Sequence, residues 1–350
     1  MYLKDLVDIQ MGQSPDSKFY NYDKIGLPFY QGKADFGRIN PTPKIWCSKS
    51  KKEAKPNDIL ISVRAPVGDL NINNEQSCIG RGLAAITCRP DVDMMYLYYY
   101  LKYLKPQLKH ISTGSTFESI NRTQLENLII NYKPYFEQIK ISNILQVVER
   151  QIEVKENLLR LYDLLVKSRF VEMFGDPNMV ALDKSVKFSS VAKIITGNTP
   201  SRKSPEYYGD YIEWIKSDNI ISTNLYISQA KEFLSEQGAA KGRVAPKDSL
   251  LMTCIAGSIR SIGNVGICDR SVAFNQQINA IVLKNNINPL YIYWLLKLFK
   301  PSIIANVEMS LKGIISKSQL ENMLIPIIAS QEEQELFIKF ALQINKLKFD

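Results

Sequence analysis

Tyr96-Leu97-Tyr98-Tyr99-Tyr100-Leu101-Lys102-Tyr103-Leu104-Lys105-Pro106 returns 195 residues later as Tyr291-Ile292-Tyr293-Trp294-Leu295-Leu296-Lys297-Leu298-Phe299-Lys300-Pro301. At the same offset Gln124-Leu125-Glu126-Asn127 returns as Gln319-Leu320-Glu321-Asn322. Nearer the N-terminus, Gly12-Gln13-Ser14-Pro15 returns as Gly197-Asn198-Thr199-Pro200 at an offset of 185, and Asp58-Ile59-Leu60 as Asp248-Ser249-Leu250 at 190. The matches keep their order while the offset grows, which marks a duplicated domain with small insertions in the second copy. The period is far too long for a solenoid repeat. Two similar modules on one chain do one job at two places.

Each copy opens with short apolar runs broken by Gly, Pro, Asn and Asp. This pattern predicts strands over 27–32, 58–63 and 83–86 in the first copy and over 211–215, 249–254 and 279–282 in the second. A helix follows in each, over about 93–104 and 289–299, and both are expected to stop at Lys-Pro because proline cannot continue a helix. Strands followed by a helix imply an α+β module rather than an alternating α/β one.

Residues 137–173 contain neither Gly nor Pro. Ile141, Leu145, Val148, Ile152, Leu159, Tyr162, Val166 and Met173 alternate at spacings of four and three once Lys155 and Arg169 fill the gaps. That is an a/d seam held for several heptads, the pattern of a coiled coil. Roughly 36 residues at a rise of 1.5 Å make a rod about 54 Å long. A single buried helix could share the apolar content, but the length and the balanced charge favour a two-helix seam. Gly175 and Pro177 end it. In the second copy Ser330, three residues before Glu333, forms a capping-box start. Phe337, Ala341 and Ile344 then take the places of Ile141, Leu145 and Val148. The expected plan is a module over 1–133, a central spacer helix over 134–174, a second module over 175–330 and a shorter distal helix over 331–350. The two helices are expected to pack antiparallel, with the modules at opposite ends and related by a pseudo-twofold axis. Because the distal helix is short, Leu159, Tyr162 and Val166 are expected to lack an intrachain partner. Pairing through 155–173, with a partner subunit or a second copy, would cover them.

The 350 residues suit two ordinary domains with connecting structure. The net charge is +9, with an excess of +5 on residues 1–133, zero on 134–174, +5 on 175–330 and −1 on 331–350. A basic excess on each module suits a polyanion such as nucleic acid, although so modest a charge also serves solubility. Cys47, Cys78, Cys88, Cys254 and Cys268 are dispersed and His110 is the lone histidine, which argues against a structural zinc and suits a reducing cytoplasm. The N-terminus lacks a signal-peptide pattern, and no apolar run reaches the ~18 residues that span a bilayer.

Several strings carry a family likeness. GQSP and GNTPS open the modules. VRAPVGD at 63–69 and CIGRGLAAI at 78–86 are answered by GNVGI at 263–267 and FNQQINAI at 274–281. GSTFESINRTQLENLII at 114–130 precedes the first helix and SRFVEMFGDP at 168–177 follows its seam. Together and in duplicate they resemble the specificity subunit of type I DNA restriction–modification systems, over essentially the whole chain. The resemblance implies two target-recognition domains, each reading one half of a split, asymmetric double-stranded DNA sequence. It implies spacer helices that dock two methyltransferase subunits, with restriction subunits joining through that core, and no catalysis or cofactor of its own. The short distal helix departs from the family pattern. It keeps open a truncated or regulatory decoy that binds methyltransferase subunits without supporting restriction.

The residues themselves agree with a non-catalytic reading. No Pro-Pro loop of the amino-methyltransferase type occurs, nor a phosphate-binding loop or dinucleotide glycine motif. Gly114-Ser115 and Gly257-Ser258 do not make a nucleophile elbow. A fused methyltransferase–restriction enzyme would need these motifs and several hundred more residues. Donors suited to DNA gather in loops instead: Gln31, Lys33, Arg38, Asn40, Arg64 and Arg81 in the first module, and Arg202, Lys203, Lys216, Asn219, Arg243 and Arg260 in the second. Arginine fits guanine and Asn or Gln fits adenine in the major groove, while lysine suits phosphate. Each could equally be a solvated surface side chain. Arg64 and Arg81 lie in strings common in the family, so a phosphate contact or a structural bond suits them better than base reading. The Tyr-rich stretch offers stacking rings, but its helical spacing favours core packing.

Overall fold

The computed structural model describes residues 1–112, 118–284, 286–309, 313–326 and 328–348. Positions 114–117 of the string at 114–130, with the Gly114-Ser115 pair, and positions 349–350 of the distal helix lie outside these. The chain divides into two compact units, Met1–Lys155 and Glu156–Asp350.

The first unit contains an antiparallel sheet in the order Val7–Met11, Leu83–Cys88, Ile59–Ser62, Leu70–Ile72. The run Leu83-Ala84-Ala85-Ile86 sits between two neighbours and is buried throughout, which is why it reads as continuous apolar sequence. A second sheet orders Tyr20–Asn21, Trp46–Cys47, Leu27–Tyr30, Ser77–Ile79 and Glu53–Ala54, with Leu27–Tyr30 and Ser77–Ile79 parallel. Leu97, Tyr98 and Leu101 of the helix Met94–Tyr103 join Ile59, Ile61 and Ile86 in one core. The second unit repeats the four-stranded sheet in the same order, while its second sheet has four strands where the first unit has five. Its first sheet runs Ala192–Thr196, Ile278–Leu283, Leu250–Thr253, Val265–Ile267, and its second joins Tyr208–Ile215 in parallel to Val272–Phe274. The architecture is α+β, and all six strands read from the sequence are present.

Tyr96 and Tyr98 are buried in the first core and Trp294 and Leu295 in the second, so the aromatic run is packing, not a stacking platform. The first helix, Met94–Tyr103, ends ahead of its Lys-Pro as expected, but the second does not. The second helix spans Pro289–Ala305 with Pro301 inside it, and in the first copy Pro106 lies in the opening turn of a further helix, Lys105–Ile111. A proline removes only its own donor, and in a first turn that donor has no intrahelical partner anyway.

A duplicated glutamine joins each spacer helix to its module. In the first unit Gln138, fully buried, accepts from the Asp93 backbone N–H at 2.9 Å and donates to the Lys133 carbonyl at 2.7 Å. In the second, buried Gln334 accepts from the Asn288 N–H at 3.0 Å and donates to the Ala329 carbonyl at 2.9 Å. An apolar residue at either place would leave a part-buried backbone donor and acceptor without this partner.

The central helix runs unbroken from Tyr135 to Phe174 and the distal helix from Gln331 to Lys346, with Ser330 and Glu333 closing the expected capping box. Within the second unit they pack antiparallel. Phe174 and Phe170 meet Phe337 with ring centroids 5.8 and 5.2 Å apart. Arg169 lies over Phe340, and Lys348 bonds Asp163 at 2.9 Å. Partners thus descend from 348 to 337 as the central helix ascends from 163 to 174. Burial alone would raise the Asp163 carboxyl, but the bonds from Lys348 and Lys297 outweigh it and hold the group below its ordinary range.

This packing covers Tyr162 and Val166, against the expectation that they lack an intrachain partner, while Leu159 stays 44% exposed as expected. Val166 and Phe170 are 1% exposed, and Tyr162 and Met173 pack against the same core. From Leu159 the bare stripe extends toward the N-terminus through Ile152, Val148 and Leu145, the four being 37–52% exposed, with Ile141 half-buried. The distal Phe337, Ala341 and Ile344, the counterparts of Ile141, Leu145 and Val148, are 0–9% exposed. Equivalent positions of the repeat are therefore covered in one unit and open in the other.

Candidate nucleic-acid interface

Three loops converge in each unit. Gly12 crosses the Gly80 backbone so closely that a Cβ would lie 2.2 Å from the Gly80 carbonyl oxygen, and Gly197 crosses Asn275 with a corresponding 2.1 Å. Only glycine fits either crossing. The hydrogen bonds coincide as well. Gly12 N–H donates to Leu83 O at 2.9 Å and Gln13 N–H to Ile79 O at 3.0 Å; Gly197 donates to Ile278 O at 3.0 Å and Asn198 to Phe274 O at 3.2 Å. The third loop enters through Gly80 N–H to Tyr30 O at 2.8 Å and Asn275 N–H to Ile215 O at 3.0 Å. These crossings hold Gln13, Gln31 and Arg81 on one unit, and Asn198, Lys216 and Gln276 on the other. Gln31, Arg81 and Lys216 stand out as donors in the sequence, whereas Gln13, Asn198 and Gln276 do not. The repeated Gly-X-Ser/Thr-Pro string was the signal that could have found them.

The candidate donors fall into two sets. In the first unit Lys33 bonds Asp69 at 2.9 Å, Arg38 bonds Glu153 of the central helix at 2.8 Å, and the Asn40 amide donates to Ile72 O at 2.8 Å. Asp69 also takes Lys105. Burial alone would raise its carboxyl, but the bonds from Lys105 and Lys33 prevail and lower it. In the second unit Arg202 lies 4.5 Å from the Tyr208 ring centre and 4.9 Å from that of Trp214, and its guanidinium bonds Glu232 at 2.6 Å. Lys216 shares the same carboxylate and also faces Trp214. These bonds, that of Lys216 first and of Arg202 second, hold Glu232 below the usual carboxylate range. Asn219 is 8% exposed. Its side chain accepts from the Lys216 N–H at 2.9 Å and donates to Gln229 O at 2.8 Å and to the Ser228 hydroxyl at 3.2 Å. It closes its own loop and is not placed to meet a base, contrary to the expectation that it is a DNA donor.

Arg64, Arg81, Lys203, Arg243 and Arg260 are exposed and form no ion pair among the described residues. Their charge is free to neutralise phosphate. The pinned set differs: an exposed pair contributes at most about 1 kcal/mol, so a phosphate can compete for Arg202 or Lys33, but only by displacing a carboxylate. Among the described residues no cluster of His, Cys, Asp and Glu could hold a metal, and no helix is long and apolar enough to cross a membrane.

A family model described as the type I restriction modification DNA specificity domain matches residues 1–160 and again 184–346. A Methanocaldococcus jannaschii protein, provisionally named the type I restriction enzyme MjaX specificity subunit, is 45% identical over 148 residues, 42% of this chain and 35% of that one. The type I restriction enzyme MjaIX specificity subunit of the same organism is 25% identical over 240 residues, 65% of this chain and 55% of the relative. The chain thus spans about a third to a half of these relatives. The crystal structure of the type I restriction–modification system S subunit from M. genitalium superposes with a TM-score of 0.58 at 15% identity, covering 99% of this chain and 89% of that one, and shares the fold.

Proposed function

The chain belongs to the type I restriction modification DNA specificity family, and from that premise we propose that it is the sequence-reading subunit of a type I restriction–modification complex. Each unit reads one half of a split, asymmetric duplex target. The observation that carries this is the pairing of a shared frame with different loop side chains. The two units share the order of their first sheet and the loop crossing, and the modules 1–133 and 175–330 share a charge excess of +5, yet they differ in the donors they present. A reader of two unlike half-sites needs that combination. The spacers are 134–174 and 331–350. The open stripe Leu145, Val148, Ile152 and Leu159 is where methyltransferase subunits dock, two to a chain, and restriction subunits join through that core. Methyl transfer and cleavage belong to those subunits, and this chain contributes target choice.

Exchanging residues 1–133 for the first module of another family member is expected to change one half-site and leave the other half and the gap unaltered. Genome-wide mapping of adenine methylation in cells carrying the chain with a methyltransferase partner reads this directly. A change in both halves would show that the modules do not read independently. Absence of any methylated target would favour the decoy reading.

The free and pinned cations separate in their salt dependence. Lys203→Ala is expected to lower the slope of log affinity against log salt by about one, across all duplex sequences alike. Arg202→Ala is expected to change the slope less, because Arg202 already spends its charge on Glu232. An unchanged slope for the Lys203 variant would place that residue away from the DNA.

A further inference from the structure

Arg81 and Gln276 occupy one position of the repeated frame. Both stand one residue after the crossing partner, Gly80 or Asn275, and two before the strand residue, Leu83 or Ile278, that accepts from the crossing glycine. A turn bond closes each loop, Leu83 N–H to Gly80 O at 3.0 Å and Ile278 N–H to Asn275 O at 3.1 Å. A hydroxyl from the Gly-X-Ser/Thr-Pro loop braces each: Ser14 accepts the Arg81 N–H at 3.3 Å, and Thr199 donates to the Gln276 side-chain carbonyl. Gly80, Gly82 and Asn275 are buried and Gln277 is half-buried, whereas the Arg81 and Gln276 side chains are exposed. The frame is therefore rigid and the protruding groups differ.

We infer that positions 81 and 276 are equivalent base-edge readers, Arg81 fitting guanine and Gln276 fitting adenine. This rests on the DNA-reading role proposed above. Arginine presents two parallel N–H donors to O6 and N7 of guanine. Glutamine presents one N–H to N7 of adenine while its carbonyl accepts from N6. The Arg81 guanidinium has no hydrogen bond or ion pair among the described residues, which sets aside the structural bond expected as one of its roles. Base reading departs from the sequence expectation for Arg81, and the ground is that this position changes from Arg to Gln between the two copies, as a reading position would. The Gln276 amide N–H₂ is likewise uncommitted, and its carbonyl, held by Thr199, keeps a second lone pair. A side chain on a locked backbone is held to the tight tolerance that bidentate pairing requires. Were both positions to touch only phosphate, the change from a charged to a neutral group would leave the second module with the weaker contact and no gain in selectivity.

The test uses the whole chain with its methyltransferase partner and begins by mapping its methylated target. Duplexes carrying that target, with each base pair varied in turn, then probe Arg81→Lys and Gln276→Ala. Arg81→Lys keeps the charge but loses the fork. A reader loses about 5- to 150-fold in affinity for the mapped target and relaxes at one base pair of one half-site. Gln276→Ala is expected to do the same at one adenine of the other half, with the thermal midpoint of the protein unchanged for both. Uniform binding of all duplexes by Arg81→Lys, at wild-type strength, overturns the inference and makes Arg81 a phosphate contact. Relaxation in both halves, or at none, overturns it as well. If the unaltered complex has no split target, the DNA-reading role itself fails and this assignment falls with it. If the target exists and the variants read it normally, only the assignment fails.

Discussion

Phe170→Ala is expected to destabilise the second unit by about 3–5 kcal/mol, the ordinary cost of removing a buried phenyl ring. Phe170 is 1% exposed, and its ring lies 4.9 Å from Phe174, 5.5 Å from Tyr291 and 5.2 Å from Phe337. It therefore binds the end of the central helix to both the aromatic helix and the distal helix. The surrounding rings are held on three different elements and cannot all collapse into the space left behind. Val148→Ala, on the same helix but 48% exposed, is expected to cost under about 0.5 kcal/mol. Hydrogen exchange resolves the two units where a single melting curve would not. Protection should fall over 156–174 and 331–346 in the Phe170 variant while the sheet of the first unit keeps its own. Equal losses for the two variants would mean that the stripe around Val148 is covered in solution and that the helix is packed along its whole length.

That contrast shows what the sequence could and could not convey. The repeat at offsets of 185 to 195, the alternation of strands and the four-three spacing from Ile141 to Met173 are properties of one segment compared with another. They yielded the two modules, the strands and the helices. Which seam positions are covered depends on what lies opposite. The sequence expectation exposed Val166, whereas antiparallel packing against Phe337 and Phe340 buries it and leaves Leu145 and Val148 bare. Pro301 misled for a different reason. Lys-Pro stops a helix only when the chain has another place to go, and the core around Leu296, Phe299 and Ile303 holds it helical.

The candidate interface was legible in kind more than in detail. Residue type marked Lys33, Arg38, Arg202 and Lys216 as donors, but each meets a carboxylate distant in sequence: Asp69, Glu153 and, for the last two, Glu232. No spacing rule connects 38 with 153. Asn219 looked like an adenine reader because loops favour Asn for two reasons, base contact and turn closure, and here the turn claims it. Conversely Gln276 was overlooked because FNQQINAI stood out for its family likeness and not for its donors, and only superposing the crossings places it where Arg81 stands.

Inserting four residues between Lys155 and Glu156 is expected to lengthen the unspecific gap in the target by one or two base pairs without altering either half-site. The point of insertion follows from where the helix is tied. Glu153 is bonded to Arg38 in the first unit, and Asp163 is bonded to Lys297 and Lys348 in the second. New residues between them disturb neither set of ties. Four residues add about 6 Å and turn the helix by about 400°, a net rotation near 40°. Duplex DNA advances about 3.4 Å and about 35° per base pair, so the added turn is matched in rotation by one pair and in length by nearly two. A three-residue insertion is the informative control. It adds about 4.5 Å but turns the helix about 60° short of a full circle, which swings the apolar stripe off its seam. That variant should lose methylation, not shift its target. Methylated sequences mapped for both variants decide the matter: an unaltered gap in the four-residue variant, with both half-sites still read, would show that something other than this helix sets the distance.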